Sequence, residues 1–291
     1  MSQAPTIHAV VITGVSSGIG YEIAKLALER GAQVFGSVRR REDADRLAPE
    51  FGERFTALLF DVRDERAVRA EAERVRAALG GRTLSGLVNN VGTAIPGPLL
   101  LQPVEEIRTQ IEINLMSAFI VTQAFAPLLG ADRSLSGAPG RVVNMSSIGG
   151  RIGQPFTSAY VASKHGLEGF SDTIRRELQL FGIDVIIVAP GAVRTPVWSK
   201  IEPQIGRFAG TPYGDAFDAA LRAMIRADRK NALEPRAVAE IVWRALTAAR
   251  PKARYAPARN PLVEQGLARV LPRRLADWTM GRALGLKPSS K

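Results

Sequence analysis

The chain has 291 residues, of which 46% are hydrophobic, and a net charge of +11 at pH 7. It contains no cysteine and two histidines, which excludes disulfides, thiolate metal sites and a cysteine nucleophile, so that no metal is expected. The positive charge is typical of proteins that bind phosphorylated ligands, nucleic acid or anionic membranes. Because there is no continuous apolar run of ~18 residues and the N-terminus is typical of a strand instead of a signal peptide, a cytoplasmic location is expected.

Apolar runs of strand length alternate with helical patterns along the first two thirds of the chain. Strands are predicted at 8–14, 33–38, 55–62, 84–92, 141–147 and 183–191, and helices at 18–30, 64–79, 104–129 and around Tyr160. Strands that are apolar on both faces and alternate with helices are typical of a parallel sheet covered on both sides. The predicted fold class is α/β, a Rossmann-type doubly wound parallel sheet flanked by helices.

The alternation ends after Pro190. Residues 196–234 are rich in proline, glycine and aromatic side chains and predict a lid insertion over a site. An amphipathic helix with proline in its first turn is predicted at 235–250, and an edge strand at 254–258. Residues 260–291 form a basic C-terminal extension with helical patterning. Since the sequence shows neither an internal repeat nor a linker, the whole chain is interpreted as one domain with a lid.

A glycine-rich segment, TGVSSGIG at 13–20, lies where the first strand meets the first helix. Gly14, Gly18 and Gly20 allow a tight turn, close approach of the backbone to a pyrophosphate and close packing of helix on strand. Their G-x3-G-x-G spacing differs from the G-x-G-x-x-G dinucleotide fingerprint. The strand–turn–helix context favours a phosphate-binding loop over a glycine-rich connection without a ligand.

The end of the second strand indicates which dinucleotide is bound. An acidic residue there binds the ribose 2′-hydroxyl of NAD, whereas an arginine accommodates the 2′-phosphate of NADP. Here GSVRRRED places Ser37 and Val38 at that position, and three arginines follow. Because a guanidinium binds phosphate through two hydrogen bonds, Arg39 is the first candidate and Arg40 the second; the alternative is a solvated start of the next helix. NADP(H) is therefore favoured over NAD(H).

Six motifs follow one another in order: TGVSSGIG at 13–20, NNVG at 89–92, Asn114 within IEINL, two serines at 146–147, Y-x-x-x-K at 160–164 and PGAVRT at 190–195. In this order they resemble the classical form of the short-chain dehydrogenase/reductase family, over roughly residues 7–256. The segment 144–178 is most similar to the 17β-hydroxysteroid and retinol dehydrogenase branch. Val91 departs from the NNAG pattern of the family and adds bulk beside the cofactor.

The resemblance implies a catalytic tetrad of Asn114, Ser147, Tyr160 and Lys164. Ser147 is expected in it instead of Ser146, because it lies thirteen residues before the tyrosine, as the family's catalytic serine commonly does. The implied reaction interconverts a ketone and a secondary alcohol: Ser147 donates a hydrogen bond to the substrate oxygen, and Tyr160 exchanges a proton with it. Lys164 is expected to lower the Tyr160 pKa and to bind the nicotinamide ribose, and Asn114 to hold a water between Lys164 and solvent.

The cofactor is expected to contact the ends of several strands. Asp61, which ends the third predicted strand, is placed to accept a hydrogen bond from the adenine amine. The resemblance implies that Thr195 binds the nicotinamide carboxamide and that Val193 contributes backbone contacts. The full set of expected cofactor-binding residues is Gly14, Ser16, Ser17, Gly18, Ile19, Gly20, Arg39, Arg40, Asp61, Val62, Asn90, Tyr160, Lys164, Pro190, Gly191, Val193 and Thr195.

Substrate specificity is expected from the loops 93–98 and 151–157 and from the lid. The lid contains few acids and several apolar or aromatic residues: Val197, Trp198, Ile201, Phe208, Tyr213 and Phe217. Such walls favour a hydrophobic ketone or secondary alcohol, which could be a steroid, a retinoid, an aromatic or a long-chain compound. Alternatively, the same residues pack the lid onto the body.

A second class of function is a nucleotide-sensing or membrane-surface binding protein with little turnover. The C-terminal extension interleaves arginines with Leu, Trp and Met, as an interfacial helix does; a helix folded back on the body is the favoured interpretation of it. The basic residues are dispersed and no recognition motif is present, so no nucleic-acid partner is expected. The remaining expected partners are a second copy of the chain, as homodimer or homotetramer, and a peripheral membrane contact through the tail.

Overall fold

Seven parallel strands form the centre of the computed structural model, which describes residues 7–196, 201–258 and 272–286. The strands are β1 (Ala9–Ile12), β2 (Gln33–Val38), β3 (Phe55–Leu59), β4 (Gly86–Asn89), β5 (Arg141–Met145), β6 (Asp184–Val188) and β7 (Arg254–Tyr255), in the spatial order β3-β2-β1-β4-β5-β6-β7. The order reverses between β1 and β4, which is the switch point beside which ligands bind in doubly wound sheets. The predicted α/β class and the predicted edge strand, shortened to two residues, are confirmed.

Helices cover both faces of this sheet. They are α1 (Gly18–Glu29), α2 (Arg41–Phe51), α3 (Glu65–Leu79), α4 (Val104–Ile111), α5 (Ser117–Phe125), α6 (Ser158–Glu177), α7 (Gly214–Asn231), α8 (Pro235–Thr247) and α9 (Arg273–Ala283). Along β1, Val10 and Ile12 pack into the cluster beneath α1 and α8, while Val11 packs into the cluster beneath α3 and α5. Alternate side chains of one strand thus enter two separate cores, which explains why the strands are apolar on both faces.

The long helix predicted at 104–129 is present but irregular. Between α4 and α5 the chain forms a π-helix, Glu112–Met116, and after α5 a 3₁₀ turn, Ala126–Leu129. Among the described residues, Val104–Leu129 is the helical stretch long and apolar enough to cross a membrane by length and composition. Its residues Phe125 and Leu128 are fully buried in the core beneath the sheet, so this apolar face is used within the fold.

The lid has a small core of its own. Ile201, Phe208 and Phe217 are buried against one another and against Phe156 of the loop 151–157. The Phe156 backbone has a φ of 65°, a left-handed conformation that costs a bulky residue free energy and that the surrounding rings hold in place. This packing supports the alternative interpretation of the lid's apolar residues; Val197 and Trp198 lie outside the described residues.

Candidate active site

The glycine-rich segment forms a tight turn between β1 and α1. Gly14 and Gly18 have φ values of 73° and 63°, which favour glycine. A Cβ on Gly20 would overlap the Gly14 carbonyl oxygen, so the helix can approach the strand this closely because position 20 is glycine. The Gly14 amide donates to the Ser37 hydroxyl at 2.9 Å, which ties the turn to the end of β2. The Ser37 contact was not predicted.

Asn90 holds the same turn from the end of β4. Its side-chain amide donates to the carbonyl oxygens of Thr13 at 2.9 Å and Gly14 at 3.2 Å. Its backbone amide donates to the Thr13 hydroxyl at 2.9 Å. The expected cofactor residue Asn90 is therefore engaged in shaping the loop.

The arginines after β2 differ in what they contact. The Arg40 Nε donates to the Asp43 carboxylate at 3.2 Å. Arg39 is exposed, and its guanidinium makes no hydrogen bond to another described residue. Arg46, which was not predicted, donates to the Ser16 carbonyl at 2.8 Å and supports the turn from α2. Of the two candidates for the 2′-phosphate, Arg39 is thus the one whose hydrogen-bond donors face solvent.

The Asp61 carboxylate is engaged by Arg63. Arg63 donates to its two oxygens at 3.0 Å and 2.8 Å, and these hydrogen bonds hold the Asp61 pKa below its usual range, with a smaller contribution from the Arg39 charge. The side chain stays partly exposed at the carboxyl end of the sheet. The role of Asp61 at the adenine stays a prediction.

The segment after β6 lies against the glycine-rich turn. The Thr195 methyl group is 3.4 Å from the position of a Cβ on Gly18, so Thr195 and the turn face each other. The Gly191 amide donates to the Pro257 carbonyl at 2.9 Å, and Val193 forms a bridge with Leu233. The other residues expected to bind the cofactor differ in exposure. Ser17 is exposed just before α1, whereas Val62 and Pro190 are buried and Ile19 packs on the core.

These elements fit a dinucleotide. Turns after β1, β2, β4 and β6 meet at the carboxyl edge of the sheet, and close approach in the turn 13–20 depends on glycine. A turn of this kind at a helix N-terminus presents backbone N–H groups to phosphate. Arg39, directly after β2, has an exposed guanidinium, and Thr195 faces Gly18 of the turn.

The four expected catalytic residues converge beside this turn. Ser147 follows β5, and Tyr160 and Lys164 lie one turn apart near the start of α6. The Ser147 hydroxyl accepts a hydrogen bond from the Gly149 amide at 3.1 Å, and its proximity to Tyr160 acts to lower the phenol pKa. A Cβ on Gly149 would lie 3.2 Å from the Tyr160 ring, so this segment packs closely on the phenol.

Lys164 is buried beneath the tyrosine. Its Nζ donates to the Met145 carbonyl oxygen at 2.8 Å and lies 6.0 Å from the centre of the Tyr160 ring. Burial lowers the Lys164 pKa to about 8. The side chain is 4% exposed, and two of its three N–H donors have no acceptor among the described residues.

The expectation that Lys164, together with an oxidised nicotinamide, lowers the Tyr160 pKa stays a prediction, because it concerns the site with the cofactor bound. Burial raises the Tyr160 pKa above its ordinary value and outweighs the hydrogen bond from Ser147. Because the Lys164 pKa is about 8, the ammonium loses its proton before the phenol titrates, and its charge is then absent when the phenolate forms. A lowered phenol pKa therefore requires further acceptors that keep Lys164 protonated.

Asn114 lies in the π-helix between α4 and α5. Its Oδ1 accepts from the Thr93 amide at 2.7 Å, while its Nδ2 donates to the Thr93 carbonyl at 2.9 Å and to the Ser163 hydroxyl at 3.0 Å. Ser163 in turn donates to the Tyr160 carbonyl at 2.6 Å. A Cβ on Gly92 would lie 3.4 Å from the Asn114 Oδ1 and 3.5 Å from the Lys164 Nζ, so both groups border one space that glycine leaves open.

Two polar residues on the buried face of α6, Ser163 and Glu168, were not predicted to belong to the site. Ser163 is fully buried and Glu168 is 6% exposed. Glu168 accepts a hydrogen bond from Ser146, whose hydroxyl therefore faces away from the tyrosine. Their sequence signal is the presence of polar side chains on the apolar face of an amphipathic helix, at the spacing that Tyr160 and Lys164 also occupy.

Comparison with known proteins shows to which family the chain belongs. A family model described as short chain dehydrogenase matches residues 8–206. An NADPH-dependent 3-dehydrocapnine reductase of Ornithobacterium rhinotracheale is 38% identical over 267 residues, covering 92% of this chain and 94% of that protein. The 17-beta-hydroxysteroid dehydrogenase type 6 of Bos taurus is 31% identical over 288 residues, covering 94% and 88%.

A solved structure agrees with these relatives. The crystal structure of an actinorhodin polyketide ketoreductase with NADPH has a TM-score of 0.72 and 31% identity, and the match covers 86% of this chain and 94% of that one. The chain belongs to the short-chain dehydrogenase/reductase family, and it is an oxidoreductase that acts on CH–OH groups. The predicted family and its similarity to the hydroxysteroid dehydrogenases are confirmed.

Proposed function

We propose that this protein is an NADP(H)-dependent oxidoreductase that interconverts a hydrophobic ketone and its secondary alcohol, with Tyr160 as the acid/base. The observation that carries the proposal is the convergence of Ser147, Tyr160 and Lys164. Gly149, whose amide donates to the Ser147 hydroxyl, packs against the Tyr160 ring, and the buried Lys164 Nζ lies 6.0 Å from the centre of that ring. The names of the reductase from Ornithobacterium rhinotracheale and of the ketoreductase structure, both of which include NADPH, support the cofactor.

The two hydroxyls have distinct roles in this proposal. NADPH, when bound, supplies the hydride that reduces the carbonyl carbon. In this proposal the Ser147 O–H, whose oxygen accepts from the Gly149 amide, turns from Tyr160 to donate to the substrate oxygen and stabilises the negative charge that develops there. The Tyr160 O–H transfers its proton to the same oxygen, and in the oxidative direction the phenolate removes the alcohol proton.

Lys164 and Asn114 support this proton transfer. The two unused Lys164 donors would bind the nicotinamide ribose hydroxyls, and these acceptors would stabilise the ammonium against the burial that lowers its pKa to about 8. A protonated Lys164 then favours the Tyr160 phenolate. The space beside Gly92, bordered by the Asn114 Oδ1 and the Lys164 Nζ, supports a water there as the route to solvent.

The substrate is proposed to be hydrophobic because of an exposed apolar surface beside the loop 93–98. Leu99, Leu100 and Val104 are 64%, 77% and 64% exposed. Leu99 and Leu100 follow that loop, whose Gly97 amide donates to the Phe156 carbonyl at 2.8 Å. Val104 is the first residue of α4, which contacts the lid through Glu106. Apolar side chains exposed at the rim of a site favour a ligand with an apolar body.

The test is NADPH oxidation with ketones of increasing chain length. We expect kcat/KM to rise with chain length, and Leu99→Ser with Leu100→Ser to reduce this dependence. Leu180→Ser is the matched control, because Leu180 is 73% exposed at the far end of α6, roughly 30 Å from Tyr160 by the rise of a helix. A rate independent of chain length in the wild-type protein would contradict a hydrophobic substrate.

Peripheral membrane contact is a second proposal, carried by α9. No residue of this helix is buried, Leu275 and Trp278 are exposed, and Arg273 and Arg282 lie at its two ends. Exposed aromatic and apolar side chains beside arginines are typical of helices at anionic membrane surfaces. We expect Trp278→Ala with Leu275→Ala to reduce sedimentation with vesicles that contain anionic lipid; unchanged sedimentation would refute the contact.

A further inference from the structure

Glu168 is a buried carboxylate on the helix that carries Tyr160 and Lys164. It lies one turn after Lys164 and two turns after Tyr160, on the buried face of α6. A buried carboxylate is costly unless it is paired and hydrogen-bonded. Its partners therefore indicate what the residue holds in place.

Three separate parts of the chain donate to Glu168. The Ser146 hydroxyl, which precedes the catalytic Ser147, donates at 3.1 Å. The Arg151 Nε, at the start of the loop 151–157, donates at 2.6 Å, and the Arg254 Nη2, from the edge strand β7, donates at 2.8 Å. These bonds hold the Glu168 pKa below its usual range although burial acts in the opposite direction. One charged carboxylate thus joins α6 to the end of β5, to the substrate loop and to β7.

The segment between Ser146 and Arg151 is tightly packed against α6. A Cβ on Gly150 would lie 2.6 Å from the Ser146 hydroxyl and 2.8 Å from the Glu168 carboxylate, and a Cβ on Gly149 would lie 3.2 Å from the Tyr160 ring. The turn that follows Ser147 is therefore held between the phenol on one side and the carboxylate on the other. Gly149 and Gly150 cannot move toward α6, because the Tyr160 ring and the Glu168 carboxylate of that helix lie directly against them.

We propose that Glu168 is a positioning residue for the reaction: by binding Ser146 and Arg151 it holds Ser147 beside the Tyr160 hydroxyl. The inference rests on the proposed function, in which these two hydroxyls bind the substrate oxygen. Arg151 additionally couples the carboxylate to the loop 151–157, so that the substrate loop and the catalytic pair are fixed by one group. Glu168 itself touches neither the substrate oxygen nor the proton that moves.

A charge-matched double variant tests whether Glu168 positions Ser147, by a measurement that does not require turnover. The cluster of Glu168, Arg151 and Arg254 has a net charge of +1, and Glu168→Met with Arg254→Met leaves the same net charge on Arg151. The chain has four tyrosines, so in protein labelled with [¹³Cζ]tyrosine the Tyr160 signal is assigned by its loss in Tyr160→Phe. We expect the double variant at pH 7 to show the Tyr160 chemical shift of Ser147→Ala, in which the hydroxyl partner is missing. A wild-type chemical shift in the double variant would overturn the proposal.

Kinetics of Glu168→Gln provide the second measurement, which does not depend on the double variant folding. We expect kcat for ketone reduction to fall by about 10–100-fold, as a misplaced reacting group requires, with the KM for NADPH unchanged. Asp172→Asn is the control, because Asp172 lies one turn further along α6 and pairs with Arg175 at the surface. An unchanged kcat in Glu168→Gln would also overturn the proposal. Failure of the proposed function shows separately, as retained turnover in Tyr160→Phe.

Discussion

The Lys164 ammonium donates to the Met145 carbonyl oxygen at 2.8 Å, so the last residue of β5 directs the lysine that lies near the Tyr160 ring. The same strand end continues into Ser147, so β5 positions both the cation and the hydroxyl of the site. In this position Lys164 is buried, and the burial lowers its pKa to about 8. The site therefore holds an ammonium at a cost in stability, and that cost can be measured.

The first prediction concerns the stability of Lys164→Met. The Lys164 pKa falls from its ordinary value of 10.5 to about 8 on folding, so at neutral pH the buried charge destabilises the fold by roughly 3 kcal/mol. The lost hydrogen bond to Met145 offsets about 1 kcal/mol. We expect Lys164→Met to raise the free energy of unfolding by about 1–2 kcal/mol at pH 7, measured by urea denaturation, while turnover is lost.

The pH dependence of the free energy of unfolding provides the control for the Lys164→Met prediction. Because the folded protein binds fewer protons than the unfolded chain between pH 8 and 10.5, the wild-type protein gains stability relative to the variant as pH rises through that range. The difference between the two proteins should therefore shrink at pH 10. A variant that is less stable than the wild type at pH 7 would contradict the burial cost.

The second prediction separates Arg39 from Arg40. The Arg39 side chain is available for a 2′-phosphate, whereas Arg40 is paired with Asp43. A lost charge-assisted contact costs about 1.5–3 kcal/mol, so Arg39→Ala should raise the KM for NADPH about 10–100-fold and leave the KM for NADH unchanged. Arg40→Ala, the matched control, should change neither value by more than a few-fold. Equal effects of the two variants would show that the phosphate is bound elsewhere or by both.

The third prediction compares alanine substitutions at Gly20, which is tightly packed, and at Gly169, which faces open space. In Gly20→Ala the new methyl group would overlap the Gly14 carbonyl oxygen and meet the Asn90 side chain, and such overpacking costs about 1–3 kcal/mol. NADPH binding, followed by cofactor fluorescence, should be lost with it because the turn must move. Gly169→Ala places its methyl group in open space on the exposed face of α6 and should stabilise the protein by about 0.5–1 kcal/mol. Intact NADPH binding in Gly20→Ala would argue against the turn as the phosphate site.

The fourth prediction concerns the ion pair between the lid and α4. The Arg207 guanidinium donates to the two Glu106 oxygens at 2.5 Å and 3.1 Å, and both side chains are about one quarter exposed. Arg207→Ala should loosen the lid and raise the KM for the ketone about 5-fold, as expected for a pair worth ~1 kcal/mol. Exchange of the two charges, Arg207→Glu with Glu106→Arg, should restore much of the loss. No change in KM in Arg207→Ala would indicate that the lid does not act on the substrate.

The sheet could be predicted from the sequence because its strands are apolar on both faces, a pattern that few other structures produce. The positions of Tyr160 and Lys164 on one face of α6 also followed from their spacing. The π-helix around Asn114 could not be predicted, since nothing in IEINL distinguishes it from an α-helix. Glu168 was missed because a charged residue in a helix is normally solvated, and its burial depends on donors 22, 17 and 86 residues away in the chain.

The central claim is that Tyr160 exchanges the proton with the substrate oxygen, and a single-turnover measurement with Tyr160→Phe tests it most directly. With NADPH prebound and a long-chain ketone added, we predict that the rate of NADPH oxidation falls by about 10²–10⁴-fold, the range for loss of a general acid. NADPH binding should stay at the wild-type level, because the phenyl ring keeps its packing on Gly149. A wild-type rate of NADPH oxidation in Tyr160→Phe would contradict the claim.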